Sequence, residues 1–213
     1  MRIAVIGGAG YVGLTTAVCL AAKGHRVFCV DRDEEKIRKL SKGVPVIHED
    51  GLERILNEVL AKNKLKVTTY LRSAIRDSDV SFICVGTPSN RDGSIDLAQV
   101  EDAAEKIGRG LAERNSHHVV VVKSTVVPGS TEERVIPVLE RSSRKRAGSD
   151  FGVCMNPEFL REGGAIKDFL FPKDTGIVIG ELDKRSGDVL FEIYSEFHAD
   201  ILRTSIRAAE MIK

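Results

Sequence analysis

The chain has no tryptophan, and its charges nearly cancel: 32 Lys and Arg against 31 Asp and Glu leave a formal charge of +1. A nucleic-acid-binding or membrane-surface protein is not expected from that balance, because both need a strongly basic face. No apolar stretch approaches the length of a membrane span, and the opening MRIAVIG runs straight into a strand pattern with no secretory signal. A cytoplasmic protein is therefore expected. Cys19, Cys29, Cys84 and Cys154 each sit alone in an apolar segment with no Cys-x-x-Cys spacing, which excludes a disulfide framework and a thiolate metal site. They read as small core residues kept reduced. The histidines carry no ligand spacing either, and His117 and His118 simply open a strand, so no metal is expected. Internal repeats and low-complexity linkers are also missing. The densest basic run, RSSRKRAG at 141–148, follows a helical pattern, ends in glycine and reads as a solvated loop.

What is present alternates. β-branched runs occur at 3–6, 26–30, 80–85, 118–123, 151–155 and 176–180, with weaker ones at 65–69 and 200–203. Helical patterns lie between them at 11–23, 33–42, 51–62, 97–111, 131–141 and 184–197. Strands that read as continuous apolar runs are buried on both faces, the mark of a mostly parallel sheet covered by helices. The expected fold class is α/β, a doubly wound Rossmann-type sheet. From Ser205 an amphipathic helix begins, with Ile206, Ala209 and Ile212 on one face, and it reaches Lys213 without a glycine or a cap. We expect a nucleotide-binding domain over 1–203. Residues 204–213 would be the start of a longer interdomain helix leading to a further domain.

IAVIGGAGYVG reads strand, glycine turn, helix, and GAGYVG fits Gly-x-Gly-x-x-Gly with Gly8, Gly10 and Gly13. These glycines let the backbone turn tightly and approach a pyrophosphate, while the amides of Ala9, Tyr11 and Val12 open the helix beside it. The second strand ends at Asp31, 18 residues after Gly13, where a carboxylate can accept both ribose hydroxyls of NAD. Arg32 next to it keeps NADP open as an alternative. Gly7 also allows the Gly-x-x-Gly-x-x-Gly spacing of short-chain reductases and sugar epimerases, yet Tyr11, Tyr70 and Tyr194 all lack the lysine four positions on that those enzymes use. Two more strand ends fall on the ligand side of such a sheet. They deliver Val85, Gly86, Thr87 and Pro88, and Lys123, Ser124 and Thr125. Finally, FGVCMNPEFLREGG puts Glu158 and Glu162 four residues apart, where like charges on one helix face would repel.

Together, GAGYVG, VDRDEEKI, HEDGL, CVGTPS, KSTVVPG, NPEFLREG and AAEMIK, in this order, resemble the UDP-glucose/GDP-mannose dehydrogenase family over the whole chain, NPEFLREG being the most specific. The resemblance implies oxidation of a nucleotide sugar's C6 alcohol to a carboxylate with two NAD molecules, through a thiohemiacetal and a thioester on a cysteine. It implies that Glu158 is the base for water attack and that Glu162 lies between substrate and cofactor. Thr125 would orient the water, and Lys213 would stabilise developing oxyanions. Phe159, Leu160 and Arg161 would line the sugar, and Lys36 and Asp31 would contact the adenosine ribose. Val85, Gly86, Thr87, Pro88, Ser124 and Thr125 would border the cofactor. The family's nucleophilic cysteine belongs to a glycine-rich segment of a nucleotide-sugar domain that this chain does not contain, so the chain is expected to bind NAD without turning over substrate. UDP-glucose, as the commonest substrate of the family, is the expected sugar, with GDP-mannose and UDP-N-acetylmannosamine as alternatives. A homodimeric full-length parent is implied. From other classes, a short-chain epimerase or reductase and a non-catalytic NAD-sensing module stay open. Departures from the family pattern are the extra Gly7 and Asp50, where proline is usual.

Overall fold

The structure is a computed structural model that describes residues 1–173 and 175–213. Eight strands form one sheet: β1 (Arg2–Ile6), β2 (Arg26–Val30), β3 (Leu65–Thr68), β4 (Val80–Ile83), β5 (Val119–Val122), β6 (Gly152–Met155), β7 (Ile177–Glu181) and β8 (Ile201–Ser205). Their order is β3-β2-β1-β4-β5-β6-β7-β8, parallel except where β6 meets β7. The order reverses direction between β1 and β4, which opens a crevice at the C-terminal strand ends where ligands of such sheets bind.

Successive side chains of each strand face opposite layers. Ile3 and Val5 enter one core with α1 (Tyr11–Ala22) and α3 (Leu52–Ala61), whereas Ala4 and Ile6 enter the other with α5 (Ala98–Ala112) and α6 (Ile136–Ser143). Val119–Val122 is buried throughout, as the unbroken apolar run required. The chain leaves β6 at the ligand side, where 156–161 lie, and returns down β7; the antiparallel pair follows from that reversal. It thereby holds NPEFLREG at the C-terminal strand ends. Beyond β8, α9 (Ile206–Ile212) rises along β7 and brings Lys213 to the same side.

Several elements differ from expectation. Two short helices, α4 (Leu71–Asp77) and α7 (Ala165–Leu170), appear where no helical pattern was read. Each spans two turns or fewer, too short to display a period. The helix expected at 131–141 opens with a wider π turn at Thr131–Val135 before α6, and Pro137, which has no amide to donate, sits just past the change. The helix expected at 184–197 is α8 (Lys184–Tyr194) followed by a 3₁₀ turn, and His198 at φ 51° ends it. The division expected after residue 203 falls inside β8, whose Thr204 and Ser205 still pair with Gly180 and Glu181. The run at 141–148 is less of a free loop than it read: Ser143 closes α6 in a buried position, and Lys145 donates to the Arg114 carbonyl. His118 is a core histidine just ahead of β5. It is bonded to Ser78 O and Ser81 Oγ, and burial pushes its pKa down to about 3.

Candidate functional site: a dinucleotide crevice beside a carboxylate segment

Backbone contacts shape the turn after β1. Gly7 adopts φ +79°, its carbonyl accepts from Gly10 N at 3.0 Å, and Gly8 N reaches across to Val30 O at 2.9 Å. A side chain on Gly13 would sit 2.0 Å from Gly7 O, so the close pass of helix over strand admits only hydrogen there. Gly10 caps α1 without a side-chain partner, leaving first-turn amides free for an anion. Asp31 stands against this turn. Its Oδ2 accepts from Ala9 N at 2.9 Å and its Oδ1 from Asp33 N at 3.1 Å, with lone pairs remaining for a ribose.

A cavity of about 440 Å³ opens here, lined among others by Gly10, Asp31, Lys36, Val85 and Gly86. Gln99, Asp102 and Lys106 of α5 also line it, and no sequence pattern singled them out. Ser124 turns its hydroxyl inward to Val85 O at 2.7 Å, while Thr87 Oγ1 donates to Thr125 O at 2.8 Å. These two contacts tie the ends of β4 and β5 together, so both hydroxyls serve the scaffold. Tyr11, Val12, Thr87, Pro88 and Thr125 do not line the cavity.

The segment 156–161 has no regular secondary structure, so Glu158 and Glu162 do not share a helix face. Asn156 anchors it. This buried amide accepts from Lys123 Nζ at 2.9 Å and from the Tyr194 hydroxyl at 2.7 Å, and donates to Val178 O at 2.8 Å. Glu158 then takes Lys213 Nζ at 2.8 Å on Oε1 and Leu160 N at 2.8 Å on Oε2. Lys213 Nζ also lies 5.8 Å from the centre of the Phe159 ring. Glu158, Phe159 and Leu160 border a second cavity of about 40 Å³ together with Lys123 and Asn156, room for a water. Glu162 is exposed, and Arg161 is held in a fork by Asp168. Glu49, within the motif HEDGL, bonds Tyr11 and the amides of Gly163 and Ala165, contacts that no local spacing signals.

The UDP-glucose/GDP-mannose dehydrogenase family, NAD binding domain, matches residues 1–198. The chain belongs to this family. GDP-mannose 6-dehydrogenase of Pseudomonas aeruginosa is 50% identical over 213 residues, and UDP-glucose 6-dehydrogenase of Haloferax volcanii 42% over 218. The crystal structure of a ternary complex of GDP-mannose dehydrogenase from Pseudomonas aeruginosa superposes with a TM-score of 0.97 at 50% identity, covering 100% of this chain and 48% of that one. The chain likewise spans 48% of the first of these relatives and 50% of the second, about half their length.

NAD is the cofactor of this domain of the dehydrogenase family, and the crevice fits it: a turn stripped of side chains, free amides, and an acid at the end of β2. None of the four cysteines offers a thiolate, because all are buried and burial pushes every thiol up, Cys84 to about 12. Cys154 faces the core beneath α8, as its strand position implied. Of the tyrosines a short-chain enzyme would use, Tyr194 is buried on Asn156 and Tyr11 is engaged by Glu49.

Proposed function

We propose that this chain is the NAD-binding part of a nucleotide-sugar 6-dehydrogenase, with GDP-mannose as the favoured substrate. The observation that carries the reading is the placement of Glu158 between Lys213 Nζ and Leu160 N at the same sheet edge as the glycine turn. A carboxylate fixed by a cation and an amide is oriented for proton transfer, and the cation is at hand for an oxyanion that forms beside it. Bound NAD would supply the hydride acceptor. Glu158 would take the proton from the hydrolytic water, Thr125 would orient that water, Lys213 would steady the oxyanion, and exposed Glu162 would reach substrate and cofactor together. Phe159, Leu160 and Arg161 would line the sugar. The expectation of UDP-glucose gives way to GDP-mannose because the relatives named for that sugar share 46–50% of their residues with this chain, against 42% for those named for UDP-glucose. A thiolate would have to come from residues outside this chain.

Calorimetric titration should show NAD binding, with NADP weaker because its 2′-phosphate meets Asp31. Asp31→Ala should weaken NAD by about tenfold, the loss of a charge-assisted hydrogen bond. Unchanged affinity would remove Asp31 from the site. The chain alone, given NAD and GDP-mannose, should produce no NADH absorbance. In the full-length enzyme, faster NADH formation with UDP-glucose or UDP-N-acetylmannosamine than with GDP-mannose would overturn the choice of sugar.

A further inference from the structure

Glu49 lies in the irregular segment ahead of α3 and is only 6% exposed. A buried carboxylate costs several kcal/mol of lost hydration unless donors replace the water. Here the donors come from two distant places. Oε1 meets the Tyr11 hydroxyl and, at 2.7 Å, Gly163 N; Oε2 accepts from Ala165 N at 3.0 Å. Burial works against the charge, but these hydrogen bonds outweigh it and hold the carboxyl below the usual glutamate range. Tyr11 is the first residue of α1, directly after Gly10 of the glycine turn. Gly163 follows Glu162, and Ala165 opens α7, whose apolar side packs on α1. The Tyr11 hydroxyl, besides meeting Glu49, lies 3.1 Å from the Arg161 carbonyl. Asp50, where the family's proline is usual, is exposed, so that departure leaves the clamp untouched.

We propose that Glu49 is a positioning residue that couples dinucleotide binding at the glycine turn to the order of the segment carrying Glu158 and Glu162. The inference rests on the functional reading above. A dinucleotide that fixes the first turn of α1 fixes Tyr11, and through Glu49 the amides that follow Glu162. By linkage, the ordered segment raises dinucleotide affinity by the same factor. The gain for the enzyme is timing: Glu162 would be placed only once the cofactor is in.

The test combines NAD calorimetry with hydrogen exchange at Gly163 and Ala165, with and without saturating NAD, in the wild-type chain, Glu49→Gln, Tyr11→Phe and the double variant. Glutamine matches glutamate in size but must turn an NH₂ toward one of the donors. In the wild type, NAD should slow exchange at both amides by about tenfold. In Glu49→Gln the NAD dissociation constant should rise by about fivefold and the NAD-dependent protection should vanish. The double variant should bind no worse than the poorer single one, because both changes cut the same link. A merely structural role would lower thermal stability yet leave the NAD-dependent difference in exchange intact. If Glu49→Gln does not fold, Tyr11→Phe, which deletes one hydroxyl, decides alone. Wild-type binding with equal affinity and equal protection in the variants overturns the clamp only. No binding by the wild type overturns the functional reading, and the clamp with it.

Discussion

Gly13→Ala should severely weaken NAD binding. The added methyl would stand 2.0 Å from Gly7 O, 2.7 Å from Gly7 C and 3.0 Å from Gly8 Cα, all backbone atoms of the turn itself. No side chain can swing aside to admit it. The turn cannot retreat either, because Gly7 is held at φ +79° with Cys84 O immediately behind it, where its own Cβ would lie at 2.7 Å. Helix α1 would have to lift, and its Leu14, Ala17 and Val18 are completely buried. Overpacking of this kind costs about 1–3 kcal/mol of stability when the backbone yields. The larger effect falls on the amides, which must be placed to within a fraction of an ångström to meet a pyrophosphate. We expect at least a ~100-fold rise in the NAD dissociation constant, about 2.7 kcal/mol, by calorimetry. Gly8→Ala gives a useful contrast, since its methyl meets the buried Cys29 sulfur at 2.6 Å and backbone only at 3.0 Å and beyond, against 2.0 Å at Gly13. Its loss should be the smaller of the two. Affinity retained by Gly13→Ala within about threefold would mean that the pyrophosphate does not lie on this turn.

What the sequence made visible was the chemistry that neighbours along the chain carry out together. β5 announces itself as VVVV because both faces are buried, and the fingerprint with Asp31 is legible because strand, turn, helix and second strand are consecutive. The roles of Glu49 and Glu210 were not legible. Glu49 finds Gly163 114 residues away, and Glu210 caps the turn after β5 through Gly129 N, 81 residues away, and Thr131 N at 2.8 Å. Nothing in HEDGL or AAEMIK records where those amides will be. α7, too short to show a period, is likewise capped from another part of the chain, by Glu49 on Ala165 N. Ser124 shows the converse: a hydroxyl at a strand end looked like a cofactor contact, and the fold turns it onto Val85.

The Lys123 ammonium offers a sharp test of how this edge of the sheet is held together, and Lys123→Met should stabilise the chain at neutral pH. Nζ is buried, bonds Asn156 Oδ1, and lies 5.5 Å from the centre of the Phe169 ring; among the described residues no carboxylate comes within ion-pair distance. Burial pushes its pKa down to about 8, opposed by Cys84 and Glu158 and assisted by Lys213. The gap from the ordinary 10.5 corresponds to about 3 kcal/mol. Its sign follows from proton counting. Below about pH 8 both states carry the proton and the folded state bears the full cost of a buried charge; between there and about 10.4 the unfolded chain holds more protons, so stability rises with pH. Methionine fills similar space without the charge, and Asn156 Oδ1 keeps the Tyr194 hydroxyl. The variant should therefore gain about 1–3 kcal/mol at pH 7, and its advantage should shrink toward pH 10. The buried cysteines oppose the trend in both proteins by ionising first in the unfolded chain, so the difference between the two urea midpoints isolates the lysine. A variant less stable than wild type at pH 7, with a pH-independent difference, would show that the ammonium is stabilised by partners strong enough to repay its burial.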